Sequence, residues 1–247
     1  MLAGNQTWLV ILLKKRKCFS WDYILDSLAR EKVATCFLGD SDYPFLLSEI
    51  YNPPLIIYYR GNLNVNWEKS LSIVGSRKCS EYGRKIVSDF MPAITDLDIT
   101  TVSGLAIGID SEVHQKTLQN QGITVAVLGS GLDRCSVYPR VNRGLADEIV
   151  ARGGVVMSEF PIGSEPLSFH FPQRNRIISG LSLAVLVVEA GMKSGSLITA
   201  RLALEEGREV FSVPGDIFSD SFVGSNNLLK YGANVVAGVE DILPFFN

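Results

Sequence analysis

Residues Leu181–Gly215 read LSLAVLVVEAGMKSGSLITARLALEEGREVFSVPG. An apolar run, LAVLVVEA, leads into a short loop, then the amphipathic stretch SLITARLALEEG, then a second apolar run, REVFSVPG. A continuous apolar run of this length is expected to be a strand buried on both faces, and the amphipathic stretch is long enough for a covering helix. Strand, helix, strand in that order is a βαβ unit, and its two strands are parallel.

The same alternation extends toward the N-terminus and the C-terminus. LSIVG (71–75), ITTVSG (99–104), ITVAVLG (123–129), GVVMSEF (154–160) and ANVVAG (233–238) are further apolar runs, most of them closing on or near glycine. Between them lie SEYGRKIVSDFMPAI (80–94), DSEVHQKTLQNQ (110–121) and NRGLADEIVARG (142–153), with helical amphipathicity. The expected fold is therefore α/β, a doubly wound, mostly parallel Rossmann-like sheet covering residues 67–247. Residues 1–66 differ. WDYILDSLAREK (21–32) carries Trp21, Ile24, Leu25 and Leu28 at helical spacing, and Pro44, Pro53 and Pro54 interrupt any longer helix. This part is expected to form a short helical leader and an extended lead-in packed on the larger body.

Composition narrows the function. With 247 residues, 47% hydrophobic and 20% charged, the chain is an ordinary globular protein of one or two domains. Its net charge of −3 excludes a uniformly basic protein but leaves room for a local basic stripe that binds nucleic acid. Cys18, Cys36, Cys79 and Cys135 are scattered, and only His114 and His170 are present, so a structural zinc site is not expected. Scattered thiols fit a reducing, cytoplasmic setting. WLVILL (8–13) is too short to span a bilayer, and the basic KKRK follows rather than precedes it, so neither a membrane span nor a secretory signal is expected.

In a doubly wound sheet the ligand lies beyond the carboxyl ends of the strands, so the loops after the apolar runs carry the chemistry. After LSIVG come Gly75, Ser76 and Arg77, followed by a helix whose N-terminus favours anions. The guanidinium fork of Arg77 matches phosphate; the other reading is a plain turn with a solvated arginine. In SGLAIGID, Gly104 and Gly108 flank a tight turn, Asp110 is a candidate N-cap, and His114 reads as structural. VLGSGLDRCSVYPRVNRGL opens like a dinucleotide fingerprint, but position 134 is Arg where the third glycine belongs, so no nicotinamide cofactor is expected. Arg140 and Arg143 add positive charge at this rim. In HFPQRNRIISG (170–180), Arg174, Asn175 and Arg176 stand just before the apolar run, beside Phe169 and Phe171. Arginine beside aromatic rings suits single-stranded nucleic acid; otherwise the rings go to the core and the arginines form surface ion pairs. Lys193, Ser194, Gly195 and Ser196 open a helix as a further anion cradle, without the pattern of a nucleotide-hydrolysing phosphate loop. Glu189 ends its strand, as an acid or base or as a holder of an arginine. Several anion-friendly loops with no nucleophile elbow, paired histidines or metal cluster point to a binder of an extended polyanion more than to an enzyme.

These residues also carry a resemblance. VGSR, SGLAIGID, AVLGSGLD, YPRVN, FPQRNRIISGLS, EAGMKSGSLITARLALEEGREVFSVPG and SNNLLKYGA occur in that order, after the lead-in YPFLLSEIYNPPLIIYYRGN. From about residue 40 onward the chain resembles the DNA-processing protein A family, DprA or Smf. The resemblance implies a homodimer that binds single-stranded DNA and hands it to the recombinase RecA in natural transformation, with no catalysis and no cofactor. It places DNA contacts at Gly75, Ser76, Arg77, Arg140, Phe171, Arg174, Asn175, Arg176 and Lys193–Ser196. It places dimer or partner contacts at Asn226, Leu228, Leu229 and Tyr231. RCSVYP is longer than the family's usual link, and SEVHQKTL replaces its usual helix. Neither a complete N-terminal helical domain nor a C-terminal winged helix is expected within these residues. Two other functions remain open: a phosphoribohydrolase-like enzyme, whose PGGxGT loop is replaced here by EAGMKSGSLIT, and a nucleotide sensor.

Overall fold

The computed structural model describes residues 21–246. WLVILL and KKRK fall outside them. Nine strands form one sheet in the order β1-β2-β6-β5-β4-β3-β7-β8-β9. They are β1 Ala34–Phe37, β2 Ile56–Gly61, β3 Ser70–Val74, β4 Thr100–Ser103, β5 Thr124–Val127, β6 Val155–Ser158, β7 Ala184–Val187, β8 Glu209–Ser212 and β9 Asn234–Val235. From β6 to β9 every pairing is parallel; β2 joins β6, and β1 joins β2, antiparallel. The mixed α/β, Rossmann-like fold read from the sequence is the one found, with the lead-in supplying the two antiparallel strands of one edge.

Helices follow the strands: α1 Trp21–Arg30, α2 Phe45–Ser48, α3 Glu81–Asp96, α4 Ile109–Gln119, α5 Arg143–Ala151, α6 His170–Gly180, α7 Ser196–Glu205 and α8 Val223–Lys230. The central strands β3 to β7 are buried along their whole length, which explains their unbroken apolar runs. The period of two then divides their side chains between layers. In β7, Ala184 and Leu186 pack with Ile86, Met91 and Ile94 of α3, while Val185 and Val187 pack with Ile177 and Ile178 of α6 and Ala200 of α7. A third cluster joins Ala126 and Val156 to Leu145 and Ile149 of α5.

Buried serines in β3 belong to this packing. Ser70 Oγ donates to Leu181 O at 2.8 Å, and Ser72 Oγ donates to Ile178 O at 2.7 Å. These hydroxyls occupy carbonyls at the end of α6 that the helix leaves unpaired. Chain order reverses at β3. The chain runs from β3 through β4 and β5 to β6 on one side, then returns to place β7 on the other. The loops after β3 and β7 therefore diverge and leave a crevice at the sheet's carboxyl edge. Among the described residues no helix is long and apolar enough to cross a membrane.

Residues 170–180, legible in the sequence only as a polar stretch before an apolar run, form the helix α6. Its buried face includes Arg174 and Asn175 beside Ile177 and Ile178. A helix that buries charged side chains lacks the apolar stripe by which helices are recognised in sequence.

Candidate nucleic-acid interface

The crevice is a cleft of about 680 Å³. It gathers the loop Gly75–Lys78 after β3, Phe171, Arg174 and Asn175 of α6, and the loop Lys193–Ser196 before α7. Residues far apart in sequence thus meet at the switch point. Glycines let these segments approach. A Cβ on Gly75 would lie 2.5 Å from Ile109 Cγ1. Gly108, with φ +93°, brings the loop after β4 so near that a Cβ there would lie 2.3 Å from Ser76 O.

Arg77 is exposed at the rim, and its Cζ lies 5.4 Å from the centroid of the Phe171 ring. The faces of these two groups attract. Tyr138 lies beside Phe171, with ring centroids 5.8 Å apart and the planes tilted by 57°. Tyr138 had no separate role in the sequence reading; its signal was the YP of the YPRVN motif. Opposite, Lys193 is exposed, Ser194 Oγ lies 2.7 Å from Ser196 Oγ, and Asn175 Nδ2 donates to Gly195 O at 3.2 Å. Asn175 thus shapes the loop that opens α7, whose positive dipole end favours an anion.

Arg174 lies beneath the cleft floor at 4% exposure. Its Nη1 donates to Gly104 O at 2.8 Å and to Val127 O, and its Nε to Asn175 Oδ1 at 3.2 Å. It binds the ends of β4 and β5 to α6. Burial pulls its pKa down to about 10, the Asp110 carboxylate opposes this, and the Arg77 charge reinforces it. Burial raises the pKa of Asp110 even though Arg174 and nearby donors favour its charged form. Two cations therefore converge on one cleft, an arrangement that an incoming anion relieves.

Other predicted residues stand apart. Arg176 lies outside the cleft. Its Nη1 donates to Glu159 Oε1 at 2.8 Å, its Nη2 pairs with Glu159 Oε2 at 2.5 Å, and its Nε donates to Asn52 O at 2.9 Å. This half-buried fork clamps the lead-in to α6. Arg140 is exposed in a single 3₁₀ turn, Arg140–Asn142, and does not line the cleft. Asn226 uses both ends of its amide on the backbone of Gly215, while Tyr231 is exposed and Leu228 and Leu229 are partly buried. Asp110 is not an N-cap; Gly108 holds that position in α4. Among the described residues Glu189 pairs with no arginine. Its buried Oε2 accepts from Ser80 N at 3.1 Å and Ser80 Oγ at 2.5 Å, and so anchors the N-cap of α3. Among the described residues no group of three His, Cys, Asp or Glu is placed to hold a metal.

His114 is fully buried, with Nδ1 2.7 Å from Thr124 Oγ1. Burial, aided by the Arg174 charge, lowers its pKa to about 3. An unfolded histidine titrates near 6.5, so below that pH the unfolded chain takes up a proton that the folded chain refuses. Its contribution to stability is complete above about pH 6.5 and declines as pH falls toward 3, by about 1.4 kcal/mol per unit. Denaturant midpoints of His114→Gln between about pH 4 and 6 should therefore vary less with pH than those of the parent. An unaltered pH slope would show that the imidazole is not excluded from protonation.

A mostly parallel sheet with helices against it and a cleft at its switch point defines a Rossmann-like α/β protein. The chain belongs to the DNA recombination-mediator protein A family, whose model matches residues 34–247. It is 45% identical over 216 residues to DNA processing protein DprA of Streptococcus pneumoniae, covering 87% of this chain and 75% of that protein. It is 44% identical over 204 residues to protein Smf of Escherichia coli, covering 79% of this chain and 54% of that protein. The crystal structure of the Streptococcus pneumoniae protein superposes with a TM-score of 0.79 at 43% identity, over 90% of this chain and 78% of that one. DNA processing protein A from Helicobacter pylori, solved to describe its single-stranded DNA binding mode, superposes with a TM-score of 0.76 at 25% identity, over 87% of this chain and 95% of that one.

Proposed function

We propose that this chain binds single-stranded DNA across the switch-point cleft and passes it, as a homodimer, to the recombinase RecA during natural transformation. The reading assigns DNA binding to residues 67–247, with residues 1–66 as lead-in. One observation carries it: Arg77, Lys78 and Lys193 converge on a cleft that also carries the Phe171 ring and a helix N-terminus. Cations pair with phosphates while rings stack on bases, the combination that single strands require. The binding mode described for the Helicobacter pylori relative supports the same ligand class. The handover to RecA and the pairing of two copies rest on the family resemblance alone. Arg176 acts in this reading by holding α6 in place rather than by touching DNA.

Fluorescence anisotropy of a labelled oligo-dT over a range of salt concentrations tests the proposal. Three phosphate contacts release counterions with a slope of log K against log salt near −2. Duplex of equal length and a mononucleotide are expected to compete poorly. Binding of the mononucleotide without the oligomer would replace this reading with a nucleotide enzyme or sensor.

A further inference from the structure

Glu189 is an unexpected acid beside a cleft that gathers cations. It stands just past β7 with no exposure to solvent, and among the described residues it forms no ion pair. Oε2 accepts from Ser80 N and Ser80 Oγ, while among the described residues Oε1 has no partner. A buried carboxyl oxygen without a donor costs stability, so packing alone gives no reason for an acid here. The backbone around Glu189 is fixed on both sides. Val188 N donates to Val74 O at 3.1 Å, and Ala190 O accepts from Gly224 N at 2.8 Å and from Ser225 N at 3.0 Å. The side chain is thus a fixed post. The first turn of α3 closes on it so tightly that a Cβ on Gly83 would lie 2.7 Å from Glu189 Oε2. Ser80 Oγ accepts in turn from Gly83 N at 3.0 Å, which joins carboxyl group, cap and helix in one chain of hydrogen bonds.

We infer that Glu189 is a positioning residue for DNA binding: it holds the Gly75–Lys78 loop, and Arg77 with it, in fixed relation to the Lys193–Ser196 loop. The inference rests on the proposed binding of single-stranded DNA. Arg77 stands three residues before Ser80, and Lys193 stands four residues after Glu189. The two cation-bearing loops leave the neighbouring strands β3 and β7, and the Ser80–Glu189 contact ties together the segments that carry them. Phosphates along a strand are held at set spacings by the covalent backbone. Two cations benefit from both only when their own spacing is set before the strand arrives, so that binding does not have to order the loop. A carboxylate suits this task better than an amide, because it accepts stronger hydrogen bonds.

The test measures oligo-dT anisotropy over a range of salt concentrations for the parent, Glu189→Gln, Ser80→Ala, Arg77→Ala and the double variant Glu189→Gln/Arg77→Ala. Glutamine keeps the shape and one acceptor but loses the charge-assisted bonds. Glu189→Gln is therefore expected to weaken binding about fivefold and to flatten the salt slope. Ser80→Ala, which cuts the link from its other end, should act in the same direction. The loss should vanish in the Arg77→Ala background, where no guanidinium is left to position. The sign of the effect is decisive, because charge acting through space predicts the reverse: removal of an acid would tighten the grip on a polyanion. Binding by folded Glu189→Gln as tight as the parent's, or tighter, would overturn the inference. An undiminished loss in the Arg77→Ala background would also overturn it, because Glu189 would then act on another part of the cleft. Circular dichroism and melting temperatures separate loss of fold from loss of position. Should Glu189→Gln not fold, Ser80→Ala, alone and with Arg77→Ala, decides by the same outcomes. If the parent protein does not bind oligo-dT, the single-strand reading itself fails, and the inference fails with it.

Discussion

Arg174→Leu is expected to destabilise the protein by ~3–5 kcal/mol, the cost of removing one partner from a buried charged network. The substitution roughly preserves bulk but leaves Gly104 O and Val127 O without their donor and Asp110 without its nearby cation. For a domain whose total stability is ~5–15 kcal/mol, that is a large fraction. The melting temperature should drop on the order of 10 °C. Arg174→Lys should recover only part of the loss, because a single ammonium cannot reproduce a planar fork that serves two carbonyls. A melting temperature for Arg174→Leu within about 2 °C of the parent would show that α6 is held by its apolar contacts alone, given the usual scaling of melting temperature with stability.

Arg77→Ala is expected to preserve the fold and to lose binding. Arg77 is exposed and forms no ion pair among the described residues, so its removal leaves no buried group unpaired. A charge-assisted hydrogen bond contributes ~1.5–3 kcal/mol, so affinity for oligo-dT should fall roughly 10- to 150-fold. One fewer phosphate contact should also flatten the salt slope by about 0.7. Arg77→Lys should keep the slope while losing part of the affinity, since it retains charge but not the fork or the plane that covers Phe171. An affinity and slope equal to the parent's would move the phosphate path away from this loop.

The two arginines show where sequence reading succeeds and where it stops. Arg77 was legible because its setting is local: a strand, a glycine, a polar triplet and a helix start follow one another directly, and a βα turn in a parallel sheet faces the ligand edge. Lys193–Ser196 was legible on the same grounds. Arg174 and Arg176 are two residues apart and look equivalent in RNR, yet one lies under the cleft and the other clamps Asn52 and Glu159. Two positions on a helix differ by about 200°, so they point to nearly opposite sides, and only the neighbours on each side assign their roles. Glu189 was equally ambiguous. Its partner, Ser80, is 109 residues away and becomes one only when β3 and β7 pair.

Sequence alone determined the architecture, because unbroken apolar runs separated by amphipathic segments have one economical solution, a parallel sheet covered on both faces. It also determined which loops face the ligand edge, since that follows from strand direction. Tertiary structure decided the rest: that residues 170–180 form a helix, that Arg174 is buried beside Asp110, that Tyr138 meets Phe171, and that a smaller cavity of about 120 Å³ borders the cleft. These features depend on which distant segments come to share a neighbourhood, and no local periodicity encodes that.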